Sequence, residues 1–127
     1  MKIKFLVSAL TLMALVVFVN SCKKEDNSNF VNRVTCNEAD DTLNTYNGKI
    51  KTLIDGNCAK SGCHDAISHE EGLDLSTYNG AVSGFNDNAL CTIYQEGGCK
   101  PMPDGAAKLS DPIIHDLTCW VKNNYPQ

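Results

Sequence analysis

The chain has 127 residues, seven of them cysteine, and a formal net charge of −4 at pH 7. A chain of this length builds one small domain, and its acidic balance argues against a nucleic-acid partner, which needs a basic face to neutralise phosphates. Many cysteines in a short chain are typical of exported proteins in an oxidising compartment.

The N-terminal residues have the pattern of a secretory signal peptide over residues 1–21. Lys2 and Lys4 precede an apolar run from Phe5 to Val19, which is shorter than the roughly 20 residues of a transmembrane helix. The small residue Ser21 then stands directly before Cys22.

This order resembles the lipobox of bacterial lipoproteins. The resemblance implies that Cys22 becomes the acylated N-terminus and that the protein is exported and anchored in the cell envelope, at the outer membrane, on its periplasmic or surface side. The alternative is an ordinary signal peptide with a free cysteine nearby. Residues 22–40 are predicted to be the lipid anchor and a disordered tether, because the polar segment from Lys23 to Asn29 has little to bury.

The folded domain is predicted over residues 41–127, and its first helix from Asp41 to Asp55. Apolar residues recur there at helical spacing, and Gly56 offers a stop. The face consists of Leu43, Tyr46, Ile50, Leu53 and Ile54.

Three further helices are predicted. Two short ones cover about 76–83 and 86–95, and Gly97-Gly98 ends the second. The last begins after Ser110, a good N-cap, with Pro112 in its first turn, and buries Ile113, Leu117, Trp120 and Val121. No strand of length alternates convincingly. The predicted fold class is therefore all-α, with short helices, long loops and something central for the loops to pack on.

The segment from Cys58 to His64 contains the main chemical motif. Two cysteines separated by four residues are followed at once by histidine. The shorter motif with two intervening residues is a signature of covalent haem attachment. Two thiols can add to the two haem vinyl groups, which holds the adjacent histidine beneath the iron. Ser61-Gly62 supplies a backbone that accommodates the two extra residues.

Two other interpretations of this motif stay open. Cys58 and Cys63 can form a local disulfide, with His64 an exposed neighbour. A zinc site with these three ligands lacks an obvious fourth, because His69 and His115 are each isolated in the sequence.

A second feature supports haem. Met102 lies between two prolines, just before the last helix, and prolines limit the conformations of the backbone. A thioether is a soft iron ligand, and a histidine–methionine pair raises the reduction potential.

From Tyr46 to Tyr125 the chain resembles the small class I cytochrome c domain, in which a helix leads into Cys-Cys-His and a Met-Pro loop precedes a C-terminal helix. More narrowly, Gly72 to Tyr78 and Lys108 to Ser110 are similar to segments of lipoprotein cytochrome domains. The resemblance implies one covalent haem c, a cytochrome c-like fold and electron transfer. It implies that Cys58 and Cys63 form the thioethers, that His64 is the proximal ligand and Met102 the distal ligand, and that Trp120 supports the pocket.

Four cysteines remain once the lipid and the haem are accounted for: Cys36, Cys91, Cys99 and Cys119. An even number favours two disulfides, for which three pairings exist. We favour Cys36–Cys119 with Cys91–Cys99. The alternative Cys99–Cys119 would tether the Met102 loop to the last helix.

The sequence thus predicts an electron carrier rather than an enzyme, with redox proteins as partners and no small-molecule substrate. Its acidic surface favours a basic redox partner, whose encounter weakens as salt rises. The competing hypothesis is a haem-free, disulfide-stapled lipoprotein that serves as a binding or structural module. A haem peroxidase would need an open axial site and distal acid–base residues, which the sequence does not supply convincingly.

Overall fold

The structure is a computed structural model that describes residues 27–37 and 42–127. This part of the chain is helical and contains no strand, so the predicted all-α class is confirmed. Its described helices are too short or too polar to cross a membrane. The signal peptide and Cys22 lie outside the described residues. The helices are α1 (Ser28–Val31), a π-helical turn (Tyr46–Ile50), α2 (Lys51–Asn57), a 3₁₀ turn (Glu70–Gly72), α3 (Tyr78–Asp87), α4 (Ala89–Tyr94) and α5 (Asp111–Lys122).

The core is built around α5. Trp120 is fully buried at its centre, and its indole N–H donates to the carbonyl of Pro126 at 3.0 Å. Four aromatic rings surround the indole with centroids 5.1–6.4 Å away, a range in which tilted and edge-to-face ring pairs are favourable. The rings belong to Tyr46, Tyr78, Phe85 and Tyr125.

The first predicted helix is present but starts later. The helical turn begins at Tyr46, where the hydroxyl of Thr45 accepts the N–H of Gly48 at 3.1 Å and caps it. Leu43 is 63 % exposed and does not belong to the buried face. The helix continues through Gly56 to Asn57, because a glycine ends a helix only where the chain needs a left-handed turn.

The expected disordered tether is corrected over its described part. Residues 27–37 pack against the domain: Phe30 is buried and its ring lies 5.0 Å from that of Tyr94. The Asn27 amide donates to the Phe85 carbonyl, and Arg33 pairs with Glu96. Most residues of this segment are polar, but Phe30 is aromatic, and its burial stabilises the contact with the domain.

The remaining helices follow the predictions with shifted ends. α3 covers Tyr78–Asp87 rather than 76–83, because Thr77 provides the cap by accepting the Gly80 N–H. α4 is confined to Ala89–Tyr94. α5 has the predicted start, with Pro112 in its first turn. Ser110 occupies the N-cap position, although its hydroxyl makes no capping hydrogen bond.

Two disulfides brace the domain in the favoured pairing. Cys36 bonds to Cys119, which ties the N-terminal segment to α5, and Cys91 bonds to Cys99 at the end of α4. The prediction of two disulfides is confirmed, and the alternative pairing Cys99–Cys119 is wrong. The first bond closes a loop of 83 residues in sequence separation, and bridges over long loops restrict the unfolded chain most.

Candidate functional site

Two adjoining cavities open beside the motif that follows α2. Their volumes are about 370 and 360 Å³, each within the range of small-molecule sites. Six residues line both of them, so they form one continuous groove, which we call the motif groove. The shared residues are Cys58, His64, Glu71, Ile93, Lys100 and Met102.

The groove brings together the four residues that the sequence singled out. Cys58, His64 and Met102 line both cavities, and Cys63 lines one of them. Met102 is far from the motif in sequence, so its presence in the same groove is a tertiary arrangement and not a consequence of spacing.

Local hydrogen bonds explain why the motif folds into the groove. Cys58 terminates α2, with its N–H donating to the Ile54 carbonyl at 2.7 Å. The chain then reverses: the His64 N–H returns to the Cys58 carbonyl, and Gly62 takes a φ of +81°. Glycine adopts this left-handed conformation without steric cost, which is the use that the sequence analysis expected of it.

The imidazole of His64 has a defined tautomer. Its Nδ1 lies 3.1 Å from the backbone carbonyl oxygen of Glu70. A carbonyl oxygen only accepts, so Nδ1 carries the proton, and in the neutral ring the Nε2 lone pair remains free. This is the arrangement that orients a histidine ligand towards a metal.

The loop after His64 is built to present that carbonyl. The Asp65 carboxylate accepts the N–H of Ser68 at 2.6 Å, which lowers the pKa of Asp65 and keeps it ionised. The Ser68 hydroxyl in turn accepts the Gly62 N–H, and the Glu70 N–H donates to the Cys63 carbonyl. The loop therefore folds back onto the C-terminal half of the motif, at Gly62 and Cys63.

The two thiols of the motif are the only cysteines of the described ranges outside disulfides. Cys58 is half-buried against the core, and loss of solvent raises the pKa of its thiol to about 11, with the neighbouring Cys63 adding to the shift. Cys63 is exposed. Since the other four described cysteines are oxidised, the free state of this pair is specific to the groove.

Met102 is held at the groove by α4. Its N–H donates to the Thr92 carbonyl at 3.0 Å, and its carbonyl accepts from the side-chain amide of Gln95 at 3.2 Å. The thioether side chain is half-buried at the groove. A soft sulfur donor and an imidazole nitrogen therefore line the same space, as an axial pair would require.

The walls of the groove are largely apolar, and the sequence carries no motif that marks them. Phe85 of α3 and Ile93 of α4 contribute, and Gly84 lies so close to Leu75 that a Cβ would be 2.8 Å from its side chain. The helical periodicity of α3 and α4 marked these residues as buried, but it could not show which cavity they face. Further apolar lining residues include Leu73, Leu75 and Leu109.

The resemblance implies that Trp120 supports the pocket, and the fold places its indole behind the wall of the groove. Trp120 is not one of the described residues that line the groove. Its indole lies one layer behind, 5.6 Å from the ring of Phe85, so any support that it gives to the groove passes through Phe85.

The other histidines lie outside the groove. His115 sits on α5, within 3.9 Å of the Cys119 sulfur, and contacts the Thr35 carbonyl. His69 is exposed, with a φ of +46°. Within residues 27–37 and 42–127, no three histidine, cysteine or carboxylate side chains are grouped as a metal site. The zinc interpretation therefore has no donor set in this part of the chain.

A porphyrin iron would take from the protein two ligand atoms, two thiols and an apolar wall, and residues of each kind line the motif groove. His64 Nε2 and the Met102 sulfur are the axial candidates, and both cysteines border the same groove. Comparison with known proteins adds nothing to this geometry: the chain matches no family model, no curated protein and no solved structure.

Proposed function

We propose that this protein is an electron carrier that binds one haem c covalently through Cys58 and Cys63, with His64 and Met102 as axial ligands, in a cytochrome c-like domain. The observation that carries the proposal is the composition of the motif groove. Two free thiols, an imidazole whose Nε2 is free and a thioether line one groove, while the other described cysteines are paired.

The attachment needs no oxidant. Each thiol adds across one vinyl group, so that a carbon–sulfur bond forms and the thiol hydrogen passes to the neighbouring carbon. Cys58 and Cys63 must therefore be reduced when they react, which agrees with their free state beside two intact disulfides.

The bound group supplies a one-electron couple between ferrous and ferric iron. The protein itself holds His64 through the Glu70 carbonyl and Met102 through α4. Its apolar walls keep water away from the groove. If His64 and Met102 both held the iron, they would leave no open position for a substrate. Electron transfer therefore fits these residues better than catalysis.

The proposed setting is the cell envelope, where a lipid on Cys22 would anchor the domain and a basic redox protein would be its partner. The acidic balance of the sequence supports such a partner, because opposite charges accelerate encounter.

Expression with a c-type maturation system tests the proposal. We expect a haem-staining band on a denaturing gel and a visible spectrum that changes on reduction with dithionite. The C58A/C63A double variant should lose the stain. The matched control, C91A/C99A, also removes two cysteines but leaves the motif intact and should retain it. A colourless wild-type protein from cells that mature other c-type cytochromes would refute the proposal.

A further inference from the structure

The backbone of Met102 is hydrogen-bonded to α4 through both its N–H and its carbonyl group. The Met102 N–H donates to Thr92 within α4, and the Met102 carbonyl accepts from Gln95, which ends that helix. The Cys91–Cys99 disulfide closes the intervening turn. Of these three restraints, the amide of Gln95 is the one non-covalent contact that a side chain provides.

Gln95 makes this hydrogen bond from a strained backbone conformation. Its φ is +56° and its ψ is +40°, in the left-handed region where a Cβ is unfavourable and helices commonly end in glycine. Glycines follow at Gly97 and Gly98. A glycine at position 95 would remove the backbone strain but also the amide that bonds Met102. Residues held in such sparsely populated backbone conformations cluster at functional sites.

We propose that Gln95 is a positioning residue that holds Met102 at the wall of the motif groove. This inference rests on the proposed function, in which the Met102 thioether is an iron ligand. A weak ligand on a loose loop is readily displaced, because the loop must be ordered each time that the bond forms. Fixing the Met102 backbone from both sides removes that cost and keeps the sulfur beside the groove.

Two variants separate positioning from general stability. Q95E is nearly isosteric and retains the backbone strain, but its carboxylate cannot donate to the Met102 carbonyl. Q95G relieves the strain and also lacks the donor. The control E96Q changes the next residue, whose side chain pairs with Arg33 rather than with Met102.

The first measurement is the exchange rate of the Met102 amide hydrogen by NMR, which does not depend on haem. We expect the rate to rise at least tenfold in Q95E and in Q95G and to stay unchanged in E96Q. In Q95G the melting temperature should remain within a few degrees of wild type or rise, so that faster exchange cannot reflect unfolding. An unchanged rate in both variants overturns the proposal.

The second measurement is the dissociation constant for imidazole, which competes with Met102 for ferric iron in the haem-loaded protein. We expect it to fall at least tenfold in both Gln95 variants, together with a lower reduction potential. Faster amide exchange with unchanged imidazole affinity would mean that Gln95 holds the loop but does not affect how Met102 binds the iron. A wild-type chain that attaches no haem would refute the proposed function, and the exchange rate would then alone decide whether Gln95 holds the loop.

Discussion

At the scale of single residues, the two thiols of the motif groove have different environments. Cys58 is half-buried, and its pKa is raised to about 11, whereas Cys63 is exposed. Because the thiolate is the nucleophile, the two sulfurs should react at different rates although they belong to one short motif.

We predict that iodoacetamide at pH 8 alkylates Cys63 at least about tenfold faster than Cys58 in protein expressed without haem maturation. A raised pKa keeps the Cys58 thiol protonated, so its reaction should accelerate with rising pH up to about 11. Peptide mass mapping at several times gives both rates. Equal rates at pH 8 would mean that Cys58 is not protected.

A second prediction concerns Met102. In the haem-loaded protein, M102L should lower the reduction potential and open the iron to small ligands, because leucine retains the volume but cannot coordinate. In the haem-free chain, where no bond to iron is lost, the substitution should cost no more than about 1.5 kcal/mol of stability, because the side chain is only half-buried. Redox titration and guanidinium unfolding measure the two effects. An unchanged potential and spectrum would show that Met102 is not a ligand.

The sequence predicted which residues would be near one another at the site, and it missed what holds them. Cys58, Cys63 and His64 are neighbours along the chain, so their spacing conveys their chemistry. The Glu70 carbonyl that orients His64 is a backbone atom and leaves no signal in a residue type. Gln95 was equally hidden, because its role depends on where a loop folds back onto α4.

At the scale of elements, the first turn of α3 lies very close to the backbone of the residues that precede it, and only a glycine at position 80 fits there. A Cβ built on Gly80 would lie 1.8 Å from the carbonyl oxygen of Asp74, whereas one on Gly56 of α2 meets no atom within 4 Å. Gly80 and Gly56 are thus opposite cases, the first required by packing and the second not.

We therefore predict that G80A destabilises the domain by about 2–4 kcal/mol, because α3 must move away from the Asp74 backbone. The matched variant G56A should stabilise it by about 0.5–1 kcal/mol, since alanine is the better helix former. Guanidinium unfolding of both proteins measures the difference. A G80A protein as stable as wild type would disprove the close approach.

The two disulfides brace different elements and should differ in strength. Removing Cys36–Cys119 with C36A/C119A should lower the free energy of unfolding by about 4–5 kcal/mol, and C91A/C99A by about 2–3 kcal/mol, because the first closes the much longer loop. Equilibrium unfolding in guanidinium gives both values. A larger loss in C91A/C99A would show that local geometry outweighs loop length.

The start of α5 was predictable because proline is typical of the first turn of a helix, whereas the starts of the first helix and of α3 were placed too early. Pro112 after Ser110 gave the start of α5 correctly. The periodicity of the first helix overran its start, because Leu43 has the right spacing but remains exposed. Local spacing cannot report whether a neighbouring element is there to cover a side chain.

At the scale of the whole molecule, the N-terminal segment is part of the domain. Phe30, the Arg33–Glu96 pair and the Cys36–Cys119 bond fasten residues 27–37 to it. Few residues separate Asn27 from Cys22, and n extended residues span at most about 3.5 Å each. A lipid on Cys22 would therefore hold the domain close to the membrane surface.

The intact mass of the purified protein, expressed with a c-type maturation system and freed of acyl chains, tests the central claim most directly. We predict the mass of the processed chain with two disulfides plus one haem that survives denaturation. A mass without haem and smaller by two further hydrogens, with Cys58 bonded to Cys63, would contradict the account.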